Sequence, residues 1–451
     1  MGGCLITIVL FCLTTSVIGQ FEFMSLRYNE NYSFLKNDTL NNWYKIMKFK
    51  KLGNSEDFFI SSGGEVRYQF QHFTNEDWGN TPVKSYNSYY TRFLFHSDLH
   101  ISKGIRMFVQ LNSTYAIGRV TSIRMIDQNE LDLHQAFLDW KPIENITFRI
   151  GRQEFLYGSQ RIISVREGPN NRQSFDAVKL VYKESNTQFD GFYAKPVRIQ
   201  LGQFNDALNN LEQIWSFYVS NLSGKYYHNM DVYYLGFQSD SKTYDAGEND
   251  ELRHSFGVRV WKKSESFSYD FEALYQFGSW GDYNIEAYTA SIDASYFMNT
   301  GRKKTQLGLK TEFISGDKNR NDNSLNSFNP LYPRGAYFGL AALIGPVNLV
   351  DFHPSWTLGI SPRIKLSLDY DAFWRYSIND GIYGPNVLLT FDSESAERFI
   401  GNQFGCAIEW QPNSFIAINP ELMYFLAGPY IKDVSSGQDV FFGALTIQLK
   451  Y

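Results

Sequence analysis

Apolar and polar residues alternate along most of this chain. In RIKLSLDYDAFWR, residues 363–375, Ile364, Leu366, Leu368, Tyr370, Ala372 and Trp374 share one face of an extended strand. Arg363, Lys365, Ser367, Asp369, Asp371 and Arg375 share the other, with Phe373. A period of two gives a strand with two unlike faces. The same beat runs through FSYDFEALYQF, where Phe267, Tyr269, Phe271, Ala273, Tyr275 and Phe277 oppose Asp270, Glu272 and Gln276. It recurs in IRMFVQLNSTY, with Ile105, Met107, Val109 and Leu111 against Arg106, Gln110 and Asn112. In YTRFLFHSDLHI, Phe93, Phe95, Leu99 and Ile101 oppose Arg92, His96, Asp98 and His100. Near 129–140 and 175–183 the alternation weakens, and the pattern does not fix the register.

Strands are predicted near 57–72, 88–101, 104–117, 129–140, 144–155, 174–183, 186–196, 214–223, 229–239, 251–263, 266–279, 283–298, 302–315, 347–361, 363–376, 397–411, 414–427 and 438–451. These segments of about 10–15 residues have the length of tilted membrane strands. Every other connection is tight: 102–104, 141–143, 184–186, 299–302, 361–362 and 411–414. Those between are mostly long, as at 154–174, 195–213, 239–251, 316–346 and 376–396. The pattern predicts an all-β fold, a transmembrane antiparallel up-and-down β-barrel of about 18 strands, with short periplasmic turns and long extracellular loops. An even strand count puts both chain ends on the short-turn side. The last strand, FFGALTIQLKY, alternates to its final aromatic; it is expected to close the barrel on the first strand and to present a signal to the outer-membrane assembly machinery. A soluble sandwich would bury a Val-, Ile- and Leu-rich face, whereas here the apolar face is rich in Phe, Tyr and Trp.

Composition agrees. Charged residues make up 20% and hydrophobic residues 43%, as in a soluble protein, but aromatics reach 17%, with 30 Tyr and 38 Phe. Aromatics favour strands and the boundary between apolar and wet surfaces. A net charge of -5 leaves no basic footprint for nucleic acid. Residues 1–19, with the short apolar core Leu5–Leu13 and the small residues Val17 and Gly19, resemble a secretory signal peptide, although no Lys or Arg precedes the core. Residues 20–56 do not alternate and read as an N-terminal periplasmic or lumen-entering segment, with the barrel over 57–451. Cys4 and Cys12 fall in the leader, leaving Cys406 and no internal disulfide. No later stretch reaches the roughly 18 apolar residues that a membrane helix needs.

In such a barrel the inward residues decide function. By parity Arg67, Arg92, Arg106, Arg149, Lys179, Arg259, Lys310, Arg363, Lys365 and Arg375 face the lumen, with Glu65, Asp98, Asp270, Glu272, Glu312, Asp369, Asp371, Glu409 and Glu421 as acidic partners. Guanidinium groups bind carboxylates through paired hydrogen bonds, and weak repeated sites let a polyanion pass. A cation paired with an acid on a neighbouring strand is the competing reading for each of them. Catalysis is not expected: His96 and Asp98 share a face while Ser97 points away, so a nucleophile would face lipid and its base the lumen. No metal site and no cofactor is expected; His96 and His100 lack third and fourth ligands.

The densest polar stretch carries a resemblance. FRIGRQEFLYGSQRIIS at 148–164, followed by NNRQSFDAVKLVY at 170–182, is similar to the signature region of the alginate-export family of outer-membrane barrels. SFNPLYPRGAYFG at 327–339 and SSGGEVRYQF at 61–70 resemble that family too. The resemblance implies an 18-stranded barrel whose arginine-lined channel passes an anionic polysaccharide outward. Arg149, Arg152, Gln153, Arg161, Asn171, Arg172 and Asp176 would belong to its motif, Asp176 as a lumen acid. Arg149 and Gln153 point inward by parity; Arg152 needs a bulge or a strand end to do so.

The expected function is an outer-membrane channel for an anionic polysaccharide or oligosaccharide, in contact with outer-membrane lipid and with room for periplasmic export partners. Two readings stay open beside it: a general or substrate-specific porin for small solutes, and a barrel hydrolase. Loops 316–346 and 376–396 are expected either to fold inward as plugs or to cover the mouth, and segment 20–56 to do the same from below.

Overall fold

The structure, a computed structural model, describes residues 23–37, 42–120, 124–224, 229–300 and 303–451; residues 1–19, read as a leader, lie outside them. An 18-strand antiparallel barrel closes on itself. Its strands are β1 Phe59–Thr74, β2 Ser85–Ser102, β3 Ile105–Ile117, β4 Asn129–Ile143, β5 Ile146–Gln153, β6 Phe175–Glu184, β7 Thr187–Arg198, β8 Glu212–Leu222 and β9 Asn229–Tyr244. The second half comprises β10 Gly247–Lys262, β11 Phe267–Trp280, β12 Tyr283–Thr300, β13 Lys303–Ile314, β14 Leu349–Ser361, β15 Ile364–Arg375, β16 Phe399–Trp410, β17 Ile416–Ala427 and β18 Val440–Lys450. The seam is β1 on β18, from Glu65↔Lys450 to Thr74↔Phe441. Closure leaves no unpaired edge, as a sheet in lipid requires.

The alternation is realised inside out. On β11, Phe267, Phe271, Tyr275 and Phe277 are exposed while Leu274 and Gln276 are buried. On β15, Leu368 is exposed while Asp371, Phe373 and Arg375 are buried. The apolar face therefore looks outward, toward lipid.

Three details differ from the sequence pattern. The expected long loop at 239–251 is instead a continuation of β9 and β10, which pair down to Tyr244↔Gly247. Its residues, SDSKTYDAGENDE, are mostly polar, apart from Tyr244, which packs on Trp280, and Ala246, because this hairpin rises beyond the apolar band, where backbone pairing continues without a face chosen for lipid. The weak alternation near 129–140 is a bulge: β4 slips against β3 between Gln110 and Leu111, and His134 and Gln135 are both buried. β5 stops at Gln153, which sends Glu154 into the interior.

The lumen is not empty. Loops 154–174 and 315–348 both fold inward and bridge at Ile163↔Tyr332, where Ser164 N donates to Tyr332 O at 2.9 Å and Tyr332 N to Ile162 O at 2.9 Å. Phe155, Ile162, Phe328, Tyr337 and Phe338 are buried against wall residues such as Phe175, Phe192, Leu274 and Phe373. The aromatics thus serve two populations, one on the lipid face and one in this inner core. Loop 376–398 lies over the mouth with residues 75–84 and the short helix α2, Pro429–Val434. Trp78, fully buried, packs 5.6 Å from Phe391 and 5.5 Å from Phe425. Asp380 fastens the two large loops together, accepting from Ser327 Oγ at 2.6 Å, Asp317 N at 2.9 Å and Tyr383 OH at 2.7 Å.

From the short-turn side the N-terminal segment enters as two 3-10 turns, Arg27–Asn29 and Ser33–Asn37, and helix α1, Trp43–Lys48. Gly63 on β1 makes room for it, and Gly64 makes room for the closing Tyr451. A Cβ at Gly63 would lie 2.3 Å from Lys48 Nζ, and one at Gly64 would lie 2.7 Å from the Tyr451 hydroxyl. The SSGGEV stretch is therefore a seat for residues 27–48 and for Tyr451.

Candidate functional site: the lumen and its arginine contacts

The inward strand positions carry rows of charge, and most cations have a partner within reach. Near the short-turn end, Arg106 grips Asp98 at 2.6 and 2.8 Å. Arg149 grips Asp139 at 2.6 and 2.8 Å and lies flat over Tyr28 and Phe137, with its guanidinium carbon 4.2 and 3.9 Å from the ring centres. Tyr28 comes from the N-terminal segment and donates its hydroxyl to Glu154 O at 2.9 Å. Across the lumen, Arg259 bridges Asp270 at 2.7 Å and Asp231 at 3.0 Å. Lys310 lies 2.9 Å from Glu312, and Arg161 lies 3.4 Å from Glu312 and 3.6 Å from Glu272 while donating to Tyr337 OH at 2.8 Å.

The most concentrated group forms where β1 and β2 meet loop 154–174. Arg67 and Arg92 sit directly opposite each other, a repulsive pair unless something anionic comes between. Glu65 accepts from Arg92 at 2.6 and 2.9 Å. The loop supplies the rest: Arg67 donates to Glu167 O at 2.9 Å and Pro169 O at 2.8 Å. One carboxylate, Glu167, receives Arg92, lies 3.3 Å from Arg172 and 4.0 Å from Arg67. The three arginine side chains are 0–5% exposed, while Glu167 is 49% exposed. Partial withdrawal from water would by itself raise the Glu167 carboxyl, yet the guanidiniums of Arg92, Arg172 and Arg67 hold it well below the usual carboxylate range. Arg172 also contacts Glu154 at 2.9 Å, and Glu154 meets His134 at 2.8 Å.

Other predicted positions fall elsewhere. Arg152 and Asp176, expected on the pathway and in the lumen, lie on the outer face and pair with each other at 2.9 and 3.0 Å. Strand parity decides this: their neighbours Gln153 and Phe175 are the ones turned inward. Gln153 is fully buried and donates to backbone carbonyls of Gly151 and Ala177. Arg375 is spent on the carbonyls of Ile378, Asp380, Ser395 and Glu397, holding loop 376–398. Arg363 lies in the exposed turn before β15, and Lys365 pairs with Glu409 at 3.1 Å with more than half its side chain exposed. Asp369 faces His353, 3.7 Å away.

Among the cavities that the described residues enclose, two are the roomiest. One of about 590 Å³ lies toward the short-turn side, lined by Phe23, Asn413, Asn419, Gln448 and Lys450. The other, about 210 Å³, lies among the loops and carries Arg119, Arg124 and Arg166 with Glu76, Asp77 and Asp127.

The alginate-export sequence profile matches residues 58–436. The chain belongs to the alginate-export family. It is an outer-membrane channel protein, in contact with membrane lipid and transported solutes, and its family and fold are those of transport channels rather than enzymes. Solved structures share the fold at low identity. OccK11 (OpdR) of Pseudomonas aeruginosa is 11% identical, with TM-score 0.53 over 89% of this chain and 98% of its own. OccAB1 of Acinetobacter baumannii is 12% identical, with TM-score 0.56 over 86% and 96%. OccK2 (OpdF) of P. aeruginosa, solved in complex with glucuronate, is 11% identical, with TM-score 0.55 over 87% and 97%. Among curated protein sequences, none matches this chain.

In this alginate-export barrel the motif residues are chiefly fasteners. Arg161 and Asn171 bind loop 154–174 to the wall, Arg161 through Thr289 and Glu312, while Asn171 Oδ1 accepts from Asn112 and Thr114 and its Nδ2 donates to Met125 O; Arg172 ties the loop to itself through Glu154 and to the N-terminal segment through Ser25 O. Sequence reasoning did not single out Glu154, Glu167, Asp139 or Tyr28. Glu154 and Glu167 had a usable signal, since each lies among the arginines of 149–172 and a buried guanidinium needs a carboxylate. Tyr28 had none, because its segment carries no periodicity.

Lys48 supplies a pH test. Its Nζ is buried over the Tyr32 ring, 4.7 Å from the centroid. Burial, with the Arg27 charge nearby, lowers it from 10.5 to about 7. Below about pH 7 the ammonium is charged both docked and undocked, and docking bears the full cost of burying it. Between the two values only the undocked form holds the extra proton, so docking strengthens as pH rises. Hydrogen-exchange protection of the 43–48 amides, corrected for intrinsic rate, is expected to climb between pH 7 and 9 and to be flat in Lys48→Met. Wild-type protection that stays level removes Lys48 as the cause.

Proposed function

We propose that this barrel passes an anionic uronate-type polysaccharide or oligosaccharide, and that Arg67, Arg92 and Arg172 form its carboxylate-binding station. The observation that carries the reading is the convergence of three buried guanidiniums on one half-exposed carboxylate, Glu167, which belongs to an inserted loop and not to the wall. A uronate carboxylate has the same chemistry and the same paired acceptors. Glu167 then acts as a resident stand-in, exchanged for cargo carboxylates as the loop shifts; weak, repeated exchange lets a polymer enter and still leave. The glucuronate bound by OccK2, a barrel of similar fold, supports this substrate class.

The loop-side cavity favours a second reading, a channel for small anionic solutes. At about 210 Å³ it is below the roughly 300–1,000 Å³ of pockets that take drug-sized ligands, which suits one sugar better than a chain. Planar-bilayer conductance separates the two. An oligouronate is expected to interrupt the current at concentrations where a neutral oligosaccharide of equal length does not, and Glu167→Ala is expected to strengthen that block several-fold. Arg67→Ala should weaken it. Equal block by charged and neutral oligomers would sink the uronate reading, while block by monomers alone would select the second. We propose further that the β18 strand is read by the outer-membrane assembly machinery, and that periplasmic export partners meet the short-turn face.

A further inference from the structure

The inner face of β14 and β15 carries a group that the transport reading does not use. Asp351 and His353 alternate on β14, and His353 faces Asp371 on β15, with Nδ1 2.7 Å from Asp371 Oδ1. One ligand atom from each of Asp351, His353 and Asp371 can be chosen so that all lie within 4.8 Å of one another. Asp351 and Asp371 are fully buried, and neither carboxylate oxygen of Asp351 has a hydrogen-bond partner. The nearby cations are directed elsewhere: Lys310 is 2.9 Å from Glu312, and Arg161 also turns to Glu312. A buried carboxylate without a donor is strongly disfavoured unless a cation or a proton joins it.

We propose that Asp351, His353 and Asp371 form a binding site for a divalent transition metal of the Zn²⁺ class. Three features select that class. An imidazole nitrogen among the donors disfavours Mg²⁺ and Ca²⁺, which prefer all-oxygen shells. Two carboxylates and one neutral imidazole leave the site neutral once a dication binds. A tetrahedral Zn²⁺ with bonds of about 2.0–2.1 Å sets its donors about 3.4 Å apart, so side-chain rotation suffices to close the present spacing. Asp369, whose Oδ1 is 3.7 Å from His353 Nε2, stands where a fourth donor or a bridging water would be needed. Sequence reasoning considered His96 and His100 and passed over this trio, because two of its members are on one strand and the third is on the next.

The test uses the full barrel folded in detergent, treated with chelator and titrated with Zn²⁺ by calorimetry. One equivalent is expected to bind, with affinity falling tenfold or more in both Asp351→Asn and His353→Ala, and unchanged in His100→Ala. Absent saturable binding, or a loss below tenfold in either of the first two variants, overturns the site. Should a variant fail to fold, judged by heat-modifiable gel mobility, Co²⁺ added to the unaltered protein decides. Intense visible bands of a four- or five-coordinate ion support the assignment, and the faint spectrum of the hexa-aqua ion refutes it. The outcome is independent of what the channel carries.

Discussion

Arg92→Ala is expected to destabilise the barrel by about 3–5 kcal/mol, the cost of leaving buried charge without its partner. Arg92 is fully buried and is held by Glu65 at 2.6 Å and by Glu167. Removing it strands Glu65, which is 4% exposed, and leaves Glu167 with two guanidiniums in place of three. It also unties loop 154–174, whose Glu167 and Pro169 carbonyls sit within reach of the same side chain. The two effects are measured separately: unfolding in urea from detergent reports the first, and a rise in single-channel conductance the second. Arg92→Lys is expected to restore only part of either, because an ammonium cannot grip two carboxylates in the planar geometry of a guanidinium. A variant as stable and as conductive as wild type would show that the cluster does not anchor the loop.

Leu368→Arg carries the second large effect, on the opposite face of the wall. Leu368 is exposed on β15, opposite Trp356 on β14 and Cys406 on β16. A guanidinium near the middle of the lipid face is expected to cost about 2–4 kcal/mol, falling toward zero at the interfaces. Ser367→Arg, one residue away and turned into the lumen, should cost far less and change ion selectivity instead. The pair is read in urea midpoints in lipid vesicles. Equal costs at 367 and 368 would mean that the apolar face does not meet lipid.

How much of this was legible in the sequence depends on which force placed each residue. The barrel was, because lipid selects every second side chain; the alternation of 363–375 and 267–277 needed no tertiary information. Closure followed from counting strands. Failures cluster where lipid stops selecting. The polar hairpin of β9 and β10 looked like a loop because beyond the apolar band nothing enforces alternation. His134 and Gln135 broke the register through a bulge that parity counting cannot see. Arg152 and Asp176 were kept in the lumen set with their motif although parity turned Arg152 outward, and the regular β5–β6 pairing supplies no bulge to bring them in.

Within the lumen, sequence reasoning named several acids that do pair with the wall cations, Glu65 with Arg92, Asp98 with Arg106 and Asp270 with Arg259 among them, but not the acids that loops and bulged strands bring in. Strand parity governs Arg67, Arg92, Arg106 and Arg149, whose side chains lie on the inner face beside Pro169, Glu65, Asp98 and Asp139. The carboxylate at the centre of the arginine group, Glu167, sits on a loop whose path is fixed by contacts far apart in the chain, Ile163 with Tyr332 among them. Arg375 shows the same limit from the other direction: its strand position was legible, but its four carbonyl partners come from 378–397 and exist only once that loop has folded back.

One contact made by the N-terminal segment sets an order of events. Arg27 donates to Gly64 O at 3.1 Å and to Tyr451 O at 3.0 Å, so it straddles the junction between the opening and closing staves. Those two acceptors come side by side only after the cylinder has been zipped shut. The stretch that precedes the barrel in the chain is therefore the last to find its place, and a protein whose final stave is still unpaired should present residues 27–48 to proteases on the periplasmic side.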